Sequence, residues 1–196
     1  MHRTGSTGLG IDTESPVGAL YDLPQRGSSA ISSGRKVAVY GDLKPEHVPI
    51  DGPRLHVIDP AVQWAGGPHP DIAKLIGRSL LLATGHPDRE AGQQIVRGIA
   101  STLTRQVSAV PAHERAGWLR EVLVLWLMDT VNILSTGLSA PRGLPLAPRQ
   151  RALVAQAHAV AGIVHRVSGL LTGTMAGPRL LELVFSEVEH TTGRKW

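Results

Sequence analysis

Cysteine is absent from this chain of 196 residues. Its absence excludes disulfide bonds, thiolate nucleophiles and zinc sites built on cysteine, and it is typical of proteins from a reducing compartment. The remaining composition, with 42% hydrophobic and 18% charged residues, is ordinary for a globular protein. We therefore expect a folded chain rather than an intrinsically disordered one.

Long apolar runs are also missing. The longest strictly apolar run, Val122–Met128, is far shorter than the roughly 20 residues that a membrane-spanning helix needs. The first residues, MHRTGSTGLGIDTE, have no apolar stretch behind their basic residue and do not resemble a secretory signal. We expect a soluble, cytoplasmic protein that makes no membrane contact.

Glycine and proline divide the chain into two unlike parts. Residues 1–68 hold 10 glycines and 7 prolines, and no helical period survives that density of helix breakers. We expect a flexible arm over residues 1–33, followed by an irregular segment over residues 34–68. Two β-prone runs in this segment, Lys36–Tyr40 and Arg54–Ile58, predict at most a short hairpin with a long loop.

Residues 69–196 predict a helical bundle domain, so the expected fold class is mainly α. Proline at the entry and glycine after the exit mark about five helices, which is the asymmetry that helix ends favour. The predicted helices cover residues 70–83, 87–109, 111–136, 148–172 and 178–190, with Gly137 as the stop signal of the third.

The fourth predicted helix has the most regular apolar pattern. Small residues, including Gly162 and Gly169, cover the faces where a solvated helix would have charged side chains. We expect this helix to be straight and continuous, and to lie at the centre of the bundle or at a subunit interface. Its apolar positions are spaced 4, 3, 4, 3, 4, as in a coiled coil: Leu153, Ala157, Val160, Val164, Val167 and Leu171.

An acid and an amide follow directly on the most apolar run of the third predicted helix, in LVLWLMDTVN. At about 100° per residue, Asn132 falls close to Glu114 and Glu121, and Asp129 lies at the margin of this polar stripe. The pattern predicts a solvent-facing edge on a mostly buried helix. The alternative is that Asp129 is partly buried and pairs with a cation from the fourth helix.

Two histidines of the fourth helix are the candidate partners for Asp129. His158 and His165 are seven residues apart on one face, which separates them by roughly 10 Å and prevents them from chelating one metal ion unaided. Together the two helices nominate four residues as candidates for lining a ligand pocket: Asp129, Asn132, His158 and His165.

No complete catalytic motif occurs in the sequence. HERAG, residues 113–117, begins like the helix of a zinc protease but has glycine where the second histidine belongs. Glu187 and His190 have the spacing of a di-iron ligand pair, but no second pair accompanies them. The sequence therefore predicts no catalytic residue, no metal site and no cofactor, and it favours a protein that is not an enzyme.

The net charge of +4 arises mainly in the last third of the chain, where residues 137–196 hold 7 basic and 3 acidic residues. Arginine side chains there are suited to phosphate or to an acidic partner. In the same part, residues 154–169 partly resemble the helix-turn-helix of lactose-repressor-type regulators, although Ala159 replaces the turn glycine and one residue must be deleted to align both ends. The candidate nucleic-acid contacts are Arg149, Arg151, Arg166 and Arg179.

These patterns rank three functions. The first is a non-enzymatic helical module, regulatory in character, that acts by protein–protein contact through self-association or through binding of a partner. The first alternative is a nucleic-acid-binding regulator that uses the basic C-terminal third. The second alternative is an enzyme or small-ligand binder with a cavity between the third and fourth helices.

Overall fold

The computed structural model describes residues 36–67, 69–141 and 143–192. Six helices and two small strand pairs form in these residues, so the predicted mainly α fold is confirmed with one helix more than expected. The predicted arm over residues 1–33 lies outside the described residues.

Apart from an unpredicted break between α4 and α5, the six helices begin and end close to the predicted positions. Asp88 caps the second helix, because its side chain accepts hydrogen bonds from the backbone N–H groups of Glu90 and Ala91. Their bounds are α1 (His69–Thr84), α2 (Arg89–Ala109), α3 (Arg115–Leu138), α4 (Pro148–Ala155), α5 (Ala157–Thr172) and α6 (Gly177–Thr191).

The central helix is α3, which contacts each of the other five helices. Leu119, Val122 and Leu127 on its inner faces are almost completely buried. In the described residues, α3 is also the one helix whose length and composition would allow it to cross a membrane, a property that core helices of soluble proteins share. Of the two places predicted for the fourth helix, the centre of the bundle is wrong, because α3 takes that position, while a subunit interface stays a prediction.

The predicted fourth helix is in fact two helices that meet at Gln156, where φ is −106° and ψ is 17°. The apolar spacing continues across this break and therefore did not reveal it. Val154 packs on α3 before the break, and Val164 enters the main core after it. Helix α5 runs unbroken through Ala159, where the helix-turn-helix resemblance would place its turn.

Close packing between helices occurs at other glycines than those predicted. A Cβ at Gly162 would meet only the Arg166 side chain, and Gly169 has open space around it. In contrast, a Cβ at Gly77 of α1 would overlap the indole of Trp126. Gly137 lies inside α3 rather than after its end. Its missing side chain gives room to α4, since a Cβ there would lie 2.9 Å from Cγ2 of Val154.

The strand segment, residues 36–67, precedes the helices. A short hairpin forms here, as predicted, but it does not join the two β-prone runs, because each run pairs with another stretch that has no strong β pattern. A short turn closes one of these pairs at a smaller entropic cost than the predicted long loop. The pairs are β1 (Val37–Val39) with β4 (Gln63–Ala65) and β2 (Ile50–Asp51) with β3 (Arg54–Leu55), all antiparallel.

Two acidic residues attach the strand segment to α1. Asp71, which is buried in the first turn of α1, accepts hydrogen bonds from the backbone N–H groups of Tyr40 at 2.6 Å and Gly41 at 2.8 Å. Asp42 accepts from Nζ of Lys44 at 2.7 Å and from Nζ of Lys74 on α1 at 2.8 Å. The strands therefore have a defined position on the helices.

Candidate functional site

Asp129 is half-buried and paired with an arginine. Its side chain is 16% exposed, and its carboxylate accepts hydrogen bonds from Nε of Arg78 at 3.1 Å and from Nη2 at 3.3 Å. Such a bidentate contact is the strong form of a charge-assisted hydrogen bond. The predicted pairing with His158 or His165 is wrong, because the cation comes from α1. The predicted solvent-facing edge holds for Asn132, which is exposed, but not for Asp129.

The Arg78 side chain lines a groove of about 480 Å³ between α1, α3 and α4. The groove has an aliphatic floor, whose largest residues are Leu81, Leu82, Ile133 and Leu153. Its rim is polar and contains Asn132, Thr136, Gln150, Gln156 and the ion pair between Arg149 and Glu46. Apolar floor and polar rim together are typical of a ligand-binding cleft.

Residues at and before the break in the predicted fourth helix complete the groove, because they contact α1 and the strand segment. Gln156, the residue at the break, lies beside Gly85 at the end of α1. Arg149 at the start of α4 reaches Glu46 in the short 3-10 helix of the strand segment, Pro45–His47. The groove therefore has contributions from both parts of the molecule.

A second cavity, of about 490 Å³, lies between α5 and α6. It is lined by His158, Arg166, Glu187 and His190, with small residues between them. Arg166 donates a hydrogen bond from Nε to Glu187 at 2.6 Å and another from Nη2 to Oγ1 of Thr191 at 3.1 Å. Among the described residues, no group of three or more histidine and acidic side chains is placed to hold a metal ion.

The four predicted pocket residues do not line one cavity. Asn132 lines the groove, and Asp129 holds Arg78 at the groove's edge. His158 lines the α5–α6 cavity, and His165 is an exposed residue of α5 that lines neither. The sequence located part of the groove, but it gave no sign that α1 would form the third wall.

Three of the four predicted nucleic-acid contacts are already paired with glutamates. Arg149 pairs with Glu46, Arg166 with Glu187 and Arg179 with Glu182. Arg151 is exposed, and its side chain has no partner among the described residues. These contacts offset the positive charge locally but do not test binding to nucleic acid, which stays a prediction.

A pair of rings with unsatisfied polar atoms lies where the strand segment meets α1. The rings of Tyr40 and His47 are 6.1 Å apart, and the Tyr40 hydroxyl and Nδ1 of His47 are buried without a hydrogen bond among the described residues. Burial raises the pKa of Tyr40 above its usual value, and the carboxylates of Asp59, Asp42 and Asp71 raise it further. The hydroxyl therefore stays protonated at neutral pH, which is unfavourable for a nucleophile.

The strand segment exposes much apolar surface. Every residue from 49 to 64 is exposed. Ile50 and Leu55 are directly opposite each other in the β2–β3 pair, and they are 74% and 61% exposed. We call residues 49–64 the exposed run. Its large apolar residues are Ile50, Leu55, Val57, Ile58, Val62 and Trp64.

Comparisons with known proteins give no assignment: no family model matches this chain, and no curated protein or solved structure matches it.

Proposed function

We propose that this protein is a non-enzymatic interaction module that associates with a second copy of itself through the exposed run. The observation behind this proposal is that all of residues 49–64 are exposed, and Trp64 is 71% exposed. A large exposed apolar patch on a folded protein often marks an interaction site. Contact between two copies would remove it from water, at a gain of about 25 cal/mol for each Å² buried.

The charge of the exposed run favours self-association over binding to a highly charged partner. Its only acidic residues are Asp51 and Asp59 and its only arginine is Arg54, so the run is nearly neutral. Asp51 and Arg54 are direct partners in the β2–β3 pair. Two copies can therefore approach without strong repulsion, whereas electrostatic steering of a foreign partner needs a patch of one sign.

The strands also offer backbone groups to a second copy. Within the described residues, β1–β4 and β2–β3 are separate two-stranded sheets, so each sheet has outer edges whose N–H and C=O groups lack a strand partner. Open edges of this kind pair readily with a strand from another chain. A twofold arrangement would place the same run from both copies in one interface, as in most homodimers.

Sedimentation equilibrium of the full chain tests the proposal. We expect dimers to form as the concentration rises over roughly 1–100 µM, a range that covers weak and moderate dissociation constants. The double variant Val62→Ser, Trp64→Ser should stay monomeric. Its matched control is Val124→Ser, Met128→Ser, which removes two exposed apolar side chains of α3.

A wild-type chain that stays monomeric over the whole range contradicts self-association. The exposed run is also the wrong interface if the control variant dissociates the dimer as strongly as the first variant. Equal thermal unfolding of both variants excludes a general loss of folding as the cause, since all four substituted residues are exposed.

A further inference from the structure

We infer that the groove between α1, α3 and α4 binds a small uncharged molecule that has an apolar body and an amide, hydroxyl or carbonyl group. This site is separate from the exposed run, since none of residues 49–64 lines it. Size, charge balance and hydrogen-bonding groups each support the inference.

The groove has the dimensions and the lining of a small-molecule site. Its volume of about 480 Å³ lies inside the range of about 300–1,000 Å³ that is usual for such sites. The aliphatic floor residues are half-buried, so a ligand can cover the part of their surface that still meets water. The α5–α6 cavity is of similar volume but has no large aliphatic side chain in its lining.

Charges at the groove are balanced in pairs. Arg78 is held by Asp129, and Arg149 is held by Glu46. The Arg78–Asp129 pair is mostly shielded from water, so a charged ligand beside it would have to displace its partner or remain uncompensated in a partly desolvated site, and either event weakens binding. An uncharged ligand leaves both pairs intact.

Two amide side chains are available to the ligand. Asn132 on α3 and Gln156 at the α4–α5 break both line the groove, and neither side chain makes a hydrogen bond within the described part of the chain. Each amide offers two N–H donors and one carbonyl acceptor. They therefore fix the polar end of a ligand whose apolar body lies on the floor.

The charge requirement is tested with three probes that share one apolar body: 4-phenylbutanamide, 4-phenylbutanoate and 4-phenylbutylammonium. Each is titrated into the ¹⁵N-labelled full chain, and amide resonances are recorded. We expect 4-phenylbutanamide to shift the side-chain amide signals of Asn132 and Gln156 in a saturable manner. Both charged probes should bind about tenfold more weakly, because each disturbs the mostly shielded Arg78–Asp129 pair.

A groove-filling variant tests the position of the site. Ala152 is an exposed residue of α4 that lines the groove, and Ala155 is an exposed residue of α4 that does not. We expect Ala152→Trp to weaken binding of 4-phenylbutanamide by about tenfold or more, as a bulky group occupies the cleft. Ala155→Trp should leave the affinity unchanged. Asn132→Ala, at an exposed position, should reduce the preference for the amide probe over the charged probes.

Four results would overturn the inference. They are no saturable shift with any probe, equal affinity for all three probes, unchanged binding in Ala152→Trp, and shifts confined to residues 49–64. Thermal unfolding of each variant, matched to that of the wild type, ensures that a loss of binding reports on the groove.

Discussion

Residues 36–67 and residues 69–192 hold similar apolar side chains but expose them to water very differently. Leu119 in α3 and Leu180 in α6 are completely buried, whereas Leu55 in β3 is 61% exposed. In the strand segment, Val39 is the one large apolar residue that is buried. The helices thus form a core by themselves, whereas the strands depend on a few polar contacts to α1 and leave most of their apolar side chains exposed to water.

The same substitution in the two regions should have the most unequal effects. Leu119→Ala removes a fully buried side chain of the central helix and should lower the free energy of unfolding by about 2–5 kcal/mol. Leu55→Ala should change it by no more than about 0.5 kcal/mol, since Leu55 is largely exposed. Urea unfolding of both variants measures the difference, and equal losses would refute the contrast.

Added methyl groups should show how tightly the helices pack. Gly77→Ala forces a Cβ against Trp126 and should cost about 1–3 kcal/mol of unfolding free energy. Gly98→Ala, in open space on α2, should instead stabilise by about 0.5–1 kcal/mol because alanine favours the helix. Thermal melts of the two variants should therefore move in opposite directions, and a shift of the same sign would show that α1 and α3 adjust to each other.

Removing the Asp71 carboxylate should loosen the strands selectively. Asp71→Ala leaves the backbone N–H groups of Tyr40 and Gly41 without their acceptors, at a cost of about 1–2 kcal/mol. We expect faster hydrogen exchange in residues 36–67 and little change in α3. Asp88→Ala is the matched control, because it also removes an acceptor of two backbone N–H groups but should affect only α2. Equal effects of both variants on the strands would disprove a special role for Asp71.

The smallest effect that we expect is a loss of folding stability at acid pH, caused by protonation of Asp42. Burial disfavours its charged form, but hydrogen bonds from Lys44 and Lys74 outweigh burial and lower the pKa of Asp42 from 3.8 to about 2. Because this folded-state pKa is depressed, the stabilisation is fully present above the usual pKa and is lost as the pH falls from about 4 towards 2. Its size should not exceed about 1 kcal/mol, as the pair is partly exposed.

Asp42→Asn provides the measurement. Urea unfolding at several pH values should show a gap between wild type and variant at pH 5 that closes near pH 2. A gap of constant size would show that Asp42 does not titrate with the depressed pKa.

Local signals in the sequence were sufficient to predict most helix positions and buried helix faces. Proline and acid at Pro87 and Asp88 marked the start of α2, and the apolar period marked the inner faces. Gly137 was misread, because a glycine that gives room to a neighbouring helix has the same letter as one that ends a helix. The break at Gln156 has no proline or glycine, and the apolar spacing continues across it, so nothing local revealed it.

The candidate site was less predictable because it depends on how elements meet. Periodicity places Asn132 on a face of α3, but the rotation of α1 against α3 decides that Arg78 pairs with Asp129. Likewise, the β-prone runs were visible while their partners were not, since pairing depends on turns and on the contact with Asp71. Neither the apolar period of the helices nor the β-prone runs predicted that the exposed run would face water.

Helix α4 has one further property: none of its eight residues is buried. A helix without a buried residue should open at a lower free energy than the rest of the fold. We expect α4 to act as a gate for the groove, so that its opening rate limits how fast a ligand enters, while the floor residues of α1 and α3 (Leu81, Leu82 and Ile133) determine how long the ligand stays.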